Sequence, residues 1–502
     1  MKNKLKNIFG LLLLSATSVQ FTSCDLLDIV QDNQLSASNM WKTETHVVSS
    51  TNGIYKKLRA NFVQDDINVF FWGELRVGEY MWGTSPLYNV WVGRDVIQNT
   101  MNANTGSADW SDLYAVIDQA NAVLKYAPSA DIPMSESKRN WAMGQAYFAR
   151  AYSYFWAARI WGDVPLNLNP IESVSQPETY PVRTPKADVY AQIGADINSA
   201  LQYAGDLGND KYAATKTAVL MLKAEYALWM YTNQKGGDSY LALAEEALKE
   251  IGISSSLIVD KYADAFDRKP TDNSVNKNSK ETVFALYNDQ AEGYTGGFCR
   301  YFAFPKDAIK KEFQSNPVPV YETQWLAFQP DFLAVLRDAR DNKGDKRVDS
   351  ILGDGNYGAA GELTWCRKFT GDMSLGTMVR DADIIYYRTA LAVMMDAELK
   401  YYKKDYAGAL KSLNIIAKRA YGKDDWYTDA TEEAVLEALT HEYFMEFPAE
   451  GVIWWALIRL DKIWDYNPYL KQHKNQTNIL LWPITKSARD KNSNLTQTEG
   501  WY

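Results

Sequence analysis

The chain has 502 residues, 53 Lys and Arg against 62 Asp and Glu, three His, three Cys, 17 Trp and 32 Tyr. A net charge of −9 excludes the basic face that nucleic-acid binding needs. Three cysteines and three histidines give no metal-ligand spacing, so no metal and no cofactor is expected, while Cys299 and Cys366 can form one bridge or stay as two thiols.

Lys2, Lys4 and Lys6 precede the short apolar run Ile8–Leu14. That run is too short to span a bilayer and reads as the core of a signal peptide covering residues 1–23. Phe21-Thr22-Ser23-Cys24 follows. Two readings of Cys24 stand: a lipoprotein processing site whose thiol carries a diacylglycerol, or an ordinary residue near a plain cleavage site. The first is the expectation, with residues 24–39 as an acidic tether. Residues 1–23 carry three lysines and no acid, so without them the balance is 50 basic to 62 acidic residues, or −12. Residues 40–502 are expected to form a single domain.

Trp110, Leu113, Tyr114, Ile117, Asn121 and Leu124 fall on one face of a helix. Residues 139–160 carry Trp141, Phe148, Tyr152, Phe155 and Trp156 and stop at Trp161-Gly162-Asp163-Val164-Pro165. Further helices are predicted at 40–59, 186–204, 213–232, 239–251, 380–402, 405–420, 431–446 and 450–463. Two helix pairs share a pattern. Ala224-Glu225-Tyr226 leads through Trp229 and Tyr231 to Tyr240–Ala244, and Ala397-Glu398-Leu399 leads through Tyr401 and Tyr402 to Tyr406–Leu410. Small residues facing aromatics across a short turn suit a tetratricopeptide-like hairpin, with unrelated antiparallel pairs as the alternative.

Residues 62–107 and 252–379 have little helical period and many Gly, Asn, Asp and aromatic residues. Long loops inside a compact protein are usually functional, and a short strand is expected at Glu281–Tyr287. In the first of these stretches Trp72, Tyr80, Trp82, Tyr88 and Trp91 crowd together with Glu74, Glu79, Asn89 and Arg94. Aromatic planes accept the C–H faces of sugar rings, and carboxylates such as Glu79 take hydroxyls. Some of these rings must serve the core instead.

Catalytic signatures are weak. His441-Glu442-Tyr443-Phe444-Met445 lacks the second histidine of a zinc-protease helix, and Glu442 and Glu446 read as structural hydrogen-bond acceptors beneath the apolar Val452–Leu457 stretch. Asp341, Asp345 and Asp349 miss the spacing of a calcium loop and read as a solvated turn.

Arg150-Ala151-Tyr152-Ser153-Tyr154-Phe155-Trp156, followed by Trp161-Gly162-Asp163-Val164-Pro165-Leu166, resembles the most recognisable segment of the SusD/RagB family. Other stretches resemble the family in the same order: Arg183-Thr184 with Val189-Tyr190 and Asp196-Ile197; Asp338-Ala339-Arg340; Asp381-Ala382-Asp383-Ile384 with Ala397-Glu398; Glu442–Phe447 with Trp454–Leu460; and Leu481-Trp482-Pro483-Ile484 through to Gly500-Trp501-Tyr502. The family's usual arginine before the third of these is displaced to Arg380, and His441 and Ala456 replace two usual residues. The resemblance implies a mostly α fold of four tetratricopeptide-like hairpins under a loop-rich half. It implies a non-catalytic lipoprotein at the cell surface, anchored in the outer membrane and acting as a lid on a SusC-like TonB-dependent transporter. Its ligand would be an oligosaccharide. By region, the resemblance points to Trp82, Tyr88 and Trp91, then Tyr294, Tyr301 and Arg367, as ligand-binding residues. The alternative is an interaction scaffold that binds peptides, or no small ligand itself.

Overall fold

The longest helix explains the rest. Glu136–Trp161 starts at Ser135, whose hydroxyl accepts from the amide of Lys138, and ends at Gly162 with φ +76°. From Ala142 onward every side chain except the half-buried Tyr147 is buried. A helix apolar on all sides must be covered on all sides.

A computed structural model describes residues 40–63, 68–83, 93–266, 275–289, 298–314, 317–321, 323–369, 381–474 and 476–501. Cys24, Tyr88, Trp91 and Tyr294 lie outside the described residues. In chain order the elements are α1 (Glu44–Val63), α2 (Asn68–Gly73), β1 (Tyr80–Trp82), α3 (Gly93–Ile97), α4 (Ser111–Tyr126), α5 (Glu136–Trp161), α6 (Lys186–Gln202), α7 (Lys216–Thr232) and α8 (Ser239–Ile251). There follow β2 (Thr282–Leu286), β3 (Leu326–Phe328), α9 (Pro330–Asp341), α10 (Val348–Ile351), β4 (Leu352–Gly358), β5 (Gly361–Cys366) and β6 (Ile384–Arg388). The chain closes with α11 (Thr389–Tyr402), α12 (Tyr406–Tyr421), α13 (Glu432–Glu446), α14 (Ile453–Arg459), α15 (Ile463–Tyr466), α16 (Pro468–Gln472) and α17 (Lys486–Lys491).

Successive helices pack side by side: α1 on α4, α4 on α5, α5 on α6, α7 on α8, α8 on α11 and α11 on α12. This is the mostly α, tetratricopeptide-like arrangement expected from the sequence. The repeated Ala-Glu positions play the same part in two hairpins. Glu225 of α7 takes the Arg159 guanidinium at 2.5 Å, and Glu398 of α11 takes Arg459 at 2.7 and 2.9 Å. Gly194 of α6 lets the Tyr226 ring approach, since a Cβ there would stand 2.9 Å from its hydroxyl. Arg150 of α5 binds Asp196 of α6 in bidentate fashion at 2.7 and 2.8 Å, and also reaches Asn121 of α4 at 2.8 Å.

The described strands form three antiparallel pairs, β1 with β3, β2 with β6 and β4 with β5. The strand expected near Glu281–Tyr287 is β2. Its partner corrects an expectation: residues 384–388, predicted as the start of a helix, are strand β6, and α11 begins only at Thr389. Ile384-Ile385-Tyr386-Tyr387 is a buried β-branched and aromatic run, the composition that suits a strand packed on both faces. The helix predicted at 450–463 is shorter, Ile453–Arg459. Within 252–379, α9 is a 12-residue helix with Pro330 in its first turn.

An ion-pair cluster fixes the loop-rich half to the helical half. Arg347 binds Asp345 at 2.7 Å, Glu442 at 2.6 Å and Glu446 at 3.2 Å. Arg388 binds Glu446 at 2.6 Å, Glu450 at 2.7 Å and Glu281 at 3.1 Å. Arg419 joins Glu281 and Glu446, and Lys368 joins Glu450. All of these side chains are buried. Glu442 and Glu446 are therefore structural acceptors, with guanidinium groups as their donors. The expected solvated turn at Asp345 is not found: its carboxylate is buried because Arg347, two residues on, neutralises it.

Candidate functional site

A cavity of about 1110 Å³ opens beside β1. Its walls come from β1, the end of α3, the start of α9, one face of α13 and the α15–α16 turn. Each wall is held by local chemistry. Trp82 ends β1 and pairs in register with Leu326 of β3, while the amide of Gln329 donates to the Glu79 carbonyl at 2.7 Å. Gly78 adopts φ +130°, and a Cβ there would press on the Tyr466 carbonyl at 2.9 Å, so glycine alone brings the strand this close to α15. Asn467 caps α16 by accepting from the amides of Tyr469 and Leu470, and its side-chain amide donates to the Arg76 carbonyl at 3.1 Å. Buried Arg76 in turn reaches Asn99 and the carbonyls of Ile479 and Leu480, and covers the Trp454 ring at 4.6 Å. The segment before β1 and the segment after α14 are thus locked to each other.

Aromatic rings line this space. Phe332 of α9 lies 6.1 Å from Phe444 of α13, and Phe444 lies 4.5 Å from Tyr466. Tyr466 keeps 43 % of its surface exposed and Trp82 is half-buried, so these rings present apolar area to whatever enters. Gln98, Thr100, Gln329, Asp331 and Thr440 supply hydrogen-bonding groups between them. Flat apolar faces interleaved with donors and acceptors are the surface that a sugar ring requires.

Two buried acids near this wall differ in their hydrogen bonding. Glu74 accepts from the Tyr80 hydroxyl at 2.7 Å and from the amides of Ala449 and Gly451. Burial nonetheless raises it to about 7. Glu79 is 1 % exposed, and neither of its carboxyl oxygens accepts a hydrogen bond. Burial first, and then the neighbouring charge of Glu74, push it well above the carboxylate range. Burial pushes the imidazole of His441, on the α13 wall, below its usual pKa.

Of the residues singled out in the sequence, Glu79 and Trp82 line this cavity. Tyr301 and Arg367 do not. Tyr301 is 4 % exposed, its ring edge-on to Phe71 at 6.2 Å and its carbonyl accepting from Trp325 at 2.8 Å, so it belongs to the core behind β3. Arg367 is exposed at the end of β5 and donates to the Asp349 carbonyl at 2.7 Å. Phe332, Phe444, Tyr466 and Tyr469 were not anticipated. Trp464-Asp465-Tyr466-Asn467-Pro468-Tyr469 has the aromatic, Asn and Pro content of the first loop, and that signal would have found the last two. A second hollow of about 820 Å³ lies at the turn end of α7, among Trp229, Tyr231, Tyr402, Trp464 and three lysines. Among the described residues no group of His, Cys, Asp and Glu is placed to hold a metal ion, and no helix is long and apolar enough to cross a membrane.

Comparison with known proteins places this geometry in context. Residues 25–226 match a family model described as "Starch-binding associating with outer membrane", of SusD-like type, and residues 343–501 match the SusD family model. The chain is 22 % identical to SusD-like protein P38 of Formosa agariphila, over 91 % of its own length and 92 % of that protein. Among solved structures, B. fragilis NanU is 25 % identical, with a TM-score of 0.76 over 94 % of this chain and 100 % of that one. A protein titled "Laminarin binding SusD-like protein" shares the fold at 18 % identity and a TM-score of 0.69, over 92 % of this chain and 100 % of its own.

Proposed function

The chain belongs to the SusD/RagB family of non-catalytic binding proteins, and on that premise we propose that it captures an oligosaccharide in the cavity walled by Trp82 and Tyr466. The observation that carries this reading is a pair of partly exposed aromatic rings, held in place by Gly78 and Asn467, beside an open space of about 1110 Å³. The starch-binding description of the matching family model and the laminarin-binding neighbour both favour a glycan over a peptide.

The captured glycan passes to a SusC-like TonB-dependent transporter in the outer membrane. Residues 40–502 act as one binding domain, tethered through Cys24. Mass spectrometry of the membrane fraction should show a diacylglycerol on Cys24; an unmodified, soluble Cys24 would contradict the anchoring. The exposed apolar strip Leu168, Ile171, Val174, Tyr180 and Val182 suits a protein partner, which is what the transporter would be.

Calorimetric titration of the purified protein with starch, laminarin and other oligosaccharides tests the capture. A sugar stacked on the Trp82 indole buries on the order of 60–80 Å² of apolar area, about 1.5–2 kcal/mol at roughly 25 cal/mol per Å². Trp82→Ala should therefore weaken binding about tenfold or somewhat more, with about 1.4 kcal/mol per decade, while thermal stability barely moves. Loss of stability with unchanged binding per folded molecule would show that Trp82 is core and that the site lies elsewhere.

A further inference from the structure

The second hollow, at the turn end of α7, holds two buried guanidinium groups in its lining. Arg159 of α5 is 3 % exposed and Arg459, at the end of α14, is 5 % exposed. Arg159 lies against the Phe155 ring at 3.9 Å and the Trp455 ring at 4.4 Å, which with Glu225 fixes its plane. Its Nη1 donates to Glu225 and its Nε to the Phe155 carbonyl, while Nη2 donates to no group among the described residues. Arg459 gives Nε and Nη2 to Glu398, and its Nη1 likewise has no acceptor among the described residues. Neither of these two nitrogens is sealed from solvent. Glu225 feels the charge of both guanidinium groups, so the two are neighbours across it.

The rest of the lining adds charge of one sign. Lys186, Lys235 and Lys474 line the hollow, are exposed, and form no ion pair among the described residues. Against them stands one acid, Asp461, whose carboxylate already accepts from the Trp464 indole at 3.1 Å. In a chain with an excess of acids, a hollow with this balance draws anions to itself. A guanidinium N–H gains most from an anionic oxygen, with which it bonds roughly twice as strongly as neutral groups bond each other. Each guanidinium already holds a carboxylate on one edge, and its planar fork of donors can take a second on another. The half-buried rings of Tyr231 and Tyr402, 5.4 Å apart, set apolar area beside these charges. Charge next to ring faces, in a space of about 820 Å³, fits a sugar that carries an acid group.

We propose that this hollow is a second binding site, for a carboxylate-bearing sugar such as a uronic acid, whose carboxylate rests on the open edges of Arg159 and Arg459 with Lys186, Lys235 and Lys474 around it. The hollow shares no lining residue with the cavity at Trp82. The two sites are therefore separable, and a neutral glycan held at Trp82 leaves this one empty.

The test is calorimetry on the intact purified protein at about 0.15 M salt, where long-range attraction is screened. The ligands are trigalacturonic acid, its uncharged methyl ester and a triglutamate peptide. The acid is expected to bind at least tenfold more tightly than the ester. In hydrogen–deuterium exchange the acid, but not the ester, should protect residues 229–237 and 476–481, which border the hollow. Lys235→Glu combined with Lys474→Glu, both at exposed positions, should remove the preference without lowering the melting temperature. Equal affinity for acid and ester in the unaltered protein, a comparison that needs no variant, would overturn the proposal. So would a preference that survives in the double variant, and triglutamate binding more tightly than trigalacturonic acid would overturn the assignment to a sugar. If the acid instead protects residues 78–83, the second site fails while the capture reading stands.

Discussion

Glu446→Ala is expected to cost about 3–5 kcal/mol of folding stability, because it leaves buried guanidinium N–H donors without their acceptor, at about 1–3 kcal/mol each. Glu446 sits where three guanidinium groups converge, those of Arg347, Arg388 and Arg419. Burial alone would raise its pKa, but the positive charges of Arg419, Arg388 and Arg347 hold the carboxyl far below the ordinary range. With the alanine in place Arg419 keeps Glu281, while Arg388 keeps Glu281 and Glu450 and Arg347 keeps Asp345 and Glu442. The cluster then holds four cations and four acids in place of four and five, yet three buried guanidinium groups each lose a donor–acceptor contact at its centre. The loss should appear as a lower denaturant midpoint with little change in slope. The pH dependence has a definite sign. A carboxyl held below its unfolded value of about 4.3 contributes stability above that pH and loses it as acid protonates the folded state. The unaltered protein should therefore lose more stability than Glu446→Ala on acidification below about pH 4. A cost under about 1 kcal/mol, typical of exposed pairs, would mean that this junction is wet.

The second large effect is expected at Trp72. Trp72→Ala should cost about 3–5 kcal/mol, as for a large aromatic deleted from a packed core. Its indole is fully buried, donates to the Ser107 carbonyl at 2.8 Å, and lies 5.5 Å from Trp161 and 6.2 Å from Trp156. Trp72→Phe keeps a ring in the space but leaves the Ser107 carbonyl without this donor, and should cost less. Thermal unfolding of both variants beside Trp82→Ala separates the two tryptophans: the first destabilises and the last leaves the fold intact. Equal melting temperatures for Trp72→Ala and Trp82→Ala would contradict the placement of one of them.

Those two residues show how far a sequence can be read. Trp72 and Trp82 stand ten positions apart in one stretch of the same composition, and nothing local separates core ring from cavity wall. The difference comes from α5, about eighty residues downstream, which supplies Trp156 and Trp161 on top of Trp72. Tyr301 follows the same rule, since its ring, in a Gly-rich stretch, packs edge-on against Phe71 of α2. The helical hairpins were legible because their signal is periodic and local, including the shared Ala-Glu positions at 225 and 398. The ion-pair cluster was not legible: Arg388 meets Glu281 from 107 positions away and Arg419 meets it from 138. Strand β6 reads as helix in the sequence because a short buried apolar run looks alike in both states, and only its partner β2 decides. Helix α9 hides in a Gly- and Asn-rich stretch, although Phe332, Leu336 and Ala339 carry helical spacing behind a proline at the start.

Hydrogen–deuterium exchange of the purified protein, with and without a glycan that binds it, tests the central claim most directly. Capture in the proposed cavity should slow exchange in residues 78–83, at the start of α9 and across 465–470, with the α7–α8 turn unchanged. Protection confined to the hollow around Trp229 and Tyr231, with 78–83 and 465–470 unaffected, would contradict it.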